Sequence, residues 1–495
     1  MTTSRRFYLV LIPATLALAL SCIAVPAQES TSPLVKQLYD GTWPDKASVA
    51  QMYNELFYQN AIQAYILTLP TLNVIGMRDG SEAKFGKGYN ILPIWKDRMT
   101  AKTWVPTPNC DVIYSMSYLD LKDTGPLVVY VPPHVIGMFT DFFQRTLTDV
   151  GAAGPDRDEG GLYLLLPPGY QGHVPGGYFT FTSRTYNVFL FFRTVLTQGP
   201  GGPDTKQAVA IAEQTRVYPL SAVEKDRKPM EFPNASNLPV NMMYPTDFTY
   251  WEKLNAYLDY EADDAFSAET RGVLAAINIV KGPPFNPTSD ERLALTRAVE
   301  TAPKMIFARR MAGRPDGREL IYKDRQYLNA WAGADPLFYQ PNYLDIENRA
   351  VFFQIAYSSS PAMVLDMINR GSKYPSAMRD KDGDLLDGSS QYKLHLPAPI
   401  PAAFYWSVTV YNPADGTLPQ TSQPFPSRNR YDNPQSNADG SVDIYFGPKK
   451  ASDVSEKNWL QTLTGRAFMV SIRLYGAETA YYDQTWKPDD VVKLQ

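Results

Sequence analysis

Apolar and polar residues alternate through Tyr392–Leu396, where Tyr392, Leu394 and Leu396 interleave with Lys393 and His395. Beyond a proline-rich corner, Trp406, Val408 and Val410 interleave with Ser407 and Thr409. A period of two puts each set on one face of a half-buried strand. The turn signal Asp439-Gly440-Ser441 leads into a third run, Val442, Ile444 and Phe446, ended by Gly447-Pro448, and residues 468–475 supply a fourth. The same order occurs earlier in the chain. Leu127–Val131 runs into Pro132-Pro133, residues 139–143 follow, Glu159-Gly160-Gly161 leads residues 162–166 into Pro167-Pro168, and residues 188–195 close the set. With 26 residues from Pro167 to Arg193 and 25 from Pro448 to Arg473, the pattern predicts a duplicated β-sandwich unit.

Elsewhere the period changes to that of helices. Val49, Met52, Tyr53, Leu56, Phe57, Ala61 and Tyr65 recur at three- and four-residue steps up to Pro70, which predicts a helix stopped by that proline. Helical periodicity returns at 250–260 and at 289–312, the latter with Thr288 as a start and Gly313 as a stop, and further helices fit 345–357 and 361–369. The expected fold class is mixed and β-rich. Two jelly-roll-like β-sandwich domains, 101–247 and 376–495, are joined by a helical segment at 248–375 and preceded by a helical region at 28–100.

Composition adds a compartment. Arg5-Arg6, an apolar run through residues 7–25 broken by Pro13, and Val25-Pro26-Ala27 read as an export signal at 1–27. The expected location is periplasmic or secreted, and N-terminal sequencing of processed protein should return Gln28 or a near neighbour; retention of Met1 would reject it. No later stretch approaches the apolar length of a membrane span. Loss of Arg5 and Arg6 moves the formal charge from -4 to -6, the opposite of the basic field that nucleic acid requires. Only Cys110 remains beyond the signal, so stability rests on the core rather than on intramolecular disulfides. With His134, His173 and His395 the only histidines, no thiolate or histidine-rich zinc site is expected. No phosphate-binding glycine loop, dinucleotide fingerprint or HExxH signature is present, so no cofactor is expected. The 32 Tyr, 23 Phe and 8 Trp favour sheets and apolar clefts.

Candidate chemistry gathers at Thr107-Pro108-Asn109-Cys110-Asp111-Val112-Ile113-Tyr114, a turn entering a strand. Asp111 is a candidate base or carboxylate ligand, Asn109 can orient a substrate, and Tyr114 can donate a proton; the alternative is a turn capped by Asp111. Arg193 and Arg473 hold matching places in the two units and can grip a carboxylate, phosphate or sulfate from a cleft between halves. Trp406 is taken as an aromatic substrate contact. Asp380, Asp382, Asp384 and Asp387 alternate as calcium ligands do, but Leu385 stands where such a loop needs Gly, which favours an Asp-Gly hairpin.

Together with residues 379–389, Phe404-Tyr405-Trp406-Ser407, residues 437–441 and Ile472-Arg473-Leu474-Tyr475, the segment from Thr107 to Leu121 resembles the bacterial proteins that pair two domains of unknown function, numbered twelve fifty-four and twelve fourteen. The resemblance spans nearly the whole chain beyond the signal. It implies a sandwich-rich, often exported protein with helical connections and no established common reaction. Cys110 departs from it, because the family commonly has a second Asn beside Asn109. Two functions stay open: a cofactor-independent hydrolase or lyase acting on a small organic or glycan substrate, and a non-catalytic carbohydrate- or envelope-binding protein. Self-association is left open too. Convergence of Asn109, Asp111 and Tyr114 with an arginine in a closed pocket would favour the first, an open aromatic strip the second.

Overall fold

A computed structural model of the chain describes residues 43–200, 202–314 and 316–494; the export signal expected at 1–27 lies outside them. The chain divides into two units, one ending at Glu55 and one running from Leu56 to Gln495. In the first, the described residues open helix α1 (Lys46–Phe85), where the Asp45 carboxylate accepts from the Ser48 amide and hydroxyl.

Two β-sandwiches share one topology. The first uses β1 (Val112–Asp120), β2 (Leu127–Val131), β3 (Val135–Asp141), β4 (Thr146–Val150), β5 (Gly161–Leu166), β6 (Phe179–Thr182), β7 (Asn187–Val195) and β8 (Arg216–Pro219). Its outer sheet has the order β8-β2-β5-β6 and its inner sheet β1-β7-β3-β4. The second sandwich uses β9 (Ser372–Lys373), β10 (Ser376–Ala377), β11 (Tyr392–Leu396), β12 (Ala402–Tyr411), β13 (Ser427–Asn429), β14 (Val442–Gly447), β15 (Trp459–Gln461), β16 (Met469–Ala477) and β17 (Val492–Lys493). Its outer sheet runs β17-β11-β14-β15, and its inner sheet runs β16-β12-β13 with β9 and β10 on the far edge of β16. The pairings correspond one by one, down to the single parallel pair in each outer sheet, β5 with β6 and β14 with β15. A repeat legible as four strands is thus a repeat of the whole sandwich.

Alternation on the inner sheets decides what meets what. In the first sandwich Ile113, Leu119, Leu190 and Phe192 point inward against Leu127, Val129, Tyr163 and Leu165 of the outer sheet. Their neighbours Tyr114, Met116, Tyr118, Phe189 and Phe191 point the other way and are buried against the helices. In the second sandwich Trp406, Val408, Val410, Val470, Ile472 and Leu474 fill the core. The intervening Tyr405, Ser407, Thr409 and Tyr411, with Met469, Ser471, Arg473 and Tyr475, are buried on the opposite face.

Helices complete the molecule: α2 (Thr249–Tyr260), α3 (Ala268–Ala275), α4 (Ser289–Ala312), α5 (Ile346–Ile355) and α6 (Pro361–Val364). Thr288 and Glu291 close a capping box at the start of α4, and Gly313, at φ 67°, ends it. Pro70 does not end α1, which continues to Phe85. The residues from Thr68 to Met77 are all buried, and burying side chains such as Leu69, Leu72 and Ile75 contributes about 1.5–3 kcal/mol each, enough together to offset the roughly 3 kcal/mol that an interior proline costs. Among the described residues no helix is long and apolar enough to cross a membrane.

Candidate functional site

The turn before β1 joins the two halves through Asn109. Its amide donates to the Tyr114 hydroxyl at 3.0 Å, its side-chain nitrogen donates to Tyr405 at 2.7 Å and Tyr475 at 3.2 Å, and its side-chain oxygen accepts from the Asp111 amide at 2.8 Å. One buried residue therefore fixes three phenols, Tyr114 through its backbone and, through its carboxamide, two on the inner sheet of the other sandwich. The approach is close: a Cβ on Gly416, whose φ is 75°, would lie 2.2 Å from the Ile355 carbonyl oxygen.

Asp111 points elsewhere. Fully buried, it accepts from Arg98 Nη2 at 2.8 Å and Asn429 Nδ2 at 2.7 Å on one oxygen, and from Ser427 Oγ at 2.6 Å on the other. These partners tie the turn to β13, and the carboxylate does not line the cavity described next. Trp406 belongs to the core of the second sandwich, because strand alternation puts it on the face opposite Tyr405. Neither residue is placed where a substrate contact would need it.

Arg193 and Arg473 do converge. Each sits on an interior strand of its inner sheet, and both line a cavity of about 150 Å³ between the sandwiches, together with Tyr114, Tyr357, Tyr374 and Tyr475. Trp331 and Phe352 extend its apolar wall. The cavity reaches the surface beside the exposed Asn329 and Ala330. Arg473 is anchored: Nη1 donates to Thr409 at 2.8 Å, and Nη2 donates to the Tyr411 hydroxyl and to the carbonyls of Thr107 and Pro108. Arg193 is not. It is only 5% exposed, its guanidinium lies 4.4 Å from the Phe191 ring centroid, and its Nε meets no partner among the described residues. The hydroxyls of Tyr357 and Tyr374 stand beside it, next to those of Tyr114 and Tyr475 respectively. Neither arginine forms an ion pair among the described residues; Asp149 is the acid nearest enough to feel Arg193, and burial pushes that carboxyl up to about 6 while it accepts from the Ala362 amide.

Charge separates the phenols. Burial pushes the Tyr114, Tyr357, Tyr374 and Tyr405 hydroxyls up. Burial pushes Tyr475 up as well, but the guanidiniums of Arg193 and Arg473 reverse this and hold it below the ordinary phenol range. Tyr475 is the member of the cluster that ionises first, and a phenolate there is a base facing an apolar cavity.

The acidic run is structural. Asp380 accepts from the Asp382 and Asp384 amides at 3.0 Å each, and Asp387 accepts from the Ser389 amide. Among the described residues no group of three or more His, Cys, Asp or Glu could hold a metal. Cys110 is buried, and burial pushes its thiol well up. Tyr357, Tyr374, Tyr405 and Tyr475 were not singled out from sequence. The face shared by Arg473 and Tyr475 on one strand was the available signal for the last of these.

Residues 89–219 match the protein of unknown function family DUF1254, and residues 371–479 match the protein of unknown function family DUF1214. The search of curated proteins gave no match. Among solved structures, the VPA0106 protein from Vibrio parahaemolyticus is similar at 19% identity with a TM-score of 0.53, covering 89% of this chain and 100% of its own. An uncharacterized protein from Burkholderia cenocepacia, at 12% identity, reaches a TM-score of 0.38 over 93% of each chain. The likeness to the Vibrio protein is one of fold.

Proposed function

From the premise that this chain pairs a DUF1254 domain with a DUF1214 domain, both of unknown function, we propose that it binds a small organic carboxylate between its halves and removes a proton from the carbon beside that carboxylate. This is the first half of an elimination or isomerisation, a lyase-like reaction that needs no redox cofactor. The observation that carries the reading is Arg193, a buried guanidinium with no carboxylate partner among the described residues, lining an apolar cavity that opens beside Asn329 and Ala330. Leaving such a charge unpaired costs several kcal/mol, which a ligand carboxylate recovers. Arg473 adds a second positive charge, and Tyr475 supplies the base. The histidines support no hydrolytic triad here: His134 pairs with Asp158, His395 pairs with Asp443, and none of the three lines the cavity. A cavity of about 150 Å³ matches a benzene-sized ligand. The aromatics around the arginines are buried rather than displayed, which favours a small molecule over a glycan chain. Export to the periplasm or beyond belongs to the same proposal and rests on residues 1–27.

Calorimetric titration of purified protein with benzoate and short alkyl carboxylates, against the matching amides, tests the reading. Carboxylates should bind and amides should not. Arg193→Met should weaken carboxylate binding by at least about 30-fold, the effect of removing one partner of a desolvated charge pair. Equal binding of acids and amides, or an unchanged affinity in Arg193→Met, rejects it.

A further inference from the structure

A third guanidinium lines the same cavity. Arg310, on the last turn of α4, is 8% exposed; its Nη2 donates to the Pro413 carbonyl, while its Nε and Nη1 are buried and meet no partner. It forms no ion pair among the described residues, and burial draws its pKa down to about 10 despite Tyr244 and Asp415 nearby. Arg309 beside it is different, since its guanidinium is taken by Glu347 at 2.8 Å. Glu319, at the solvent end, accepts from the Arg314 amide.

Arg193 and Arg310 have separate surroundings. Arg193 stands among Phe191, Tyr114, Tyr357, Tyr374 and Tyr475, whereas Arg310 stands among Phe307, Pro413 and Tyr244. Arg473 lines the same cavity, reaching Thr107 and Tyr411 with its guanidinium and sharing a strand face with Tyr475. We infer that the ligand is a dianion, a short dicarboxylate or a molecule with two comparably spaced anionic groups, one end held by Arg193 and the other by Arg310. Charge balance supports this. The deep lining carries three guanidiniums, Arg193, Arg310 and Arg473, none with an ion-pair partner among the described residues, so a ligand with two anionic groups has more than one buried cation to meet. The inference rests on the carboxylate reading of the cavity and names its substrate class.

The test compares matched pairs, butyrate with succinate and valerate with glutarate, by calorimetry on the full chain and on Arg310→Gln. In the wild type one dicarboxylate should bind at least about 10-fold tighter than the monocarboxylate of the same length, the effect of one charge-assisted contact. Arg310→Gln should reduce that preference to below about 3-fold while leaving monocarboxylate affinity within about 2-fold. If wild-type protein binds mono- and dicarboxylates equally, the dianion inference is overturned and the carboxylate reading survives. The same holds if Arg310→Gln weakens both classes alike. If neither class binds, both fall. Because the wild-type series decides by itself, a poorly folded variant does not rescue the idea.

Discussion

Asp111→Ala should destabilise the protein by about 3–5 kcal/mol, the effect of breaking a buried ion pair from one side. The Asp111 carboxylate accepts from Arg98, Asn429 and Ser427 at 2.6–2.8 Å with no exposure to solvent. Arg98 is itself buried against the Phe425 ring, 3.9 Å from its centroid, so losing the carboxylate leaves a buried cation without its counter-charge. Asp111→Asn keeps the shape and an acceptor for Arg98. Its amide can face Ser427, whose hydroxyl can turn to the Val408 carbonyl. The expected cost is therefore smaller, about 1.5–3 kcal/mol, the difference a charged acceptor makes. Urea denaturation measures both, as a lowered midpoint at unchanged slope. Carboxylate affinity in the folded protein should stay within about 3-fold, because Asp111 does not line the cavity. Stability unchanged with binding or turnover abolished would return Asp111 to the chemistry and reject the structural role.

Tyr475→Phe should have the largest effect on turnover, lowering kcat by about 10²–10⁴, the range for loss of a positioned general base. The fold should barely notice. Asn109 loses an acceptor at 3.2 Å but keeps Tyr405 at 2.7 Å, a loss of about 1 kcal/mol. The pH dependence carries a sign. Burial opposes ionisation of Tyr475, the guanidiniums of Arg193 and Arg473 favour it, and the net displacement is downward. The base is active when deprotonated, so wild-type activity should rise with pH through a value below that of an ordinary phenol and level off above it. That limb should vanish in Tyr475→Phe. Ultraviolet titration of phenolate absorbance supplies a readout that needs no substrate: one tyrosine should ionise ahead of the rest, and this step should be missing in the variant. Wild-type kcat in Tyr475→Phe, or an early-ionising tyrosine that persists in it, would show that the base is another group.

Different parts of this molecule were legible for different physical reasons. The strands at 127–131, 162–166, 392–396 and 442–446 were readable because each has one face in a core and turn residues at its ends. Short edge strands such as Thr146–Val150, Phe179–Thr182 and Ser427–Asn429 carry too little alternation to be seen; their neighbours' hydrogen bonds create them. Pro70 was misread as a stop because a proline's local cost is visible in sequence, while the burial that offsets it comes from distant segments.

At the site, sequence by itself determined that Arg193 and Arg473 lie on corresponding strands of a repeat, and that Arg473 shares a face with Tyr475. It also placed Asn109, Asp111 and Tyr114 together in a turn. Only the tertiary structure decided their roles. Asn109 and Asp111 are two residues apart, yet one turns toward Tyr405 and Tyr475 and the other toward Ser427 and Asn429. These partners lie between 296 and 366 residues away. The cavity itself needs two sandwiches and a helical segment to meet. Composition and period act over a few residues, whereas an unpaired guanidinium is defined by which carboxylates fail to reach it, and that is a property of the packed chain alone.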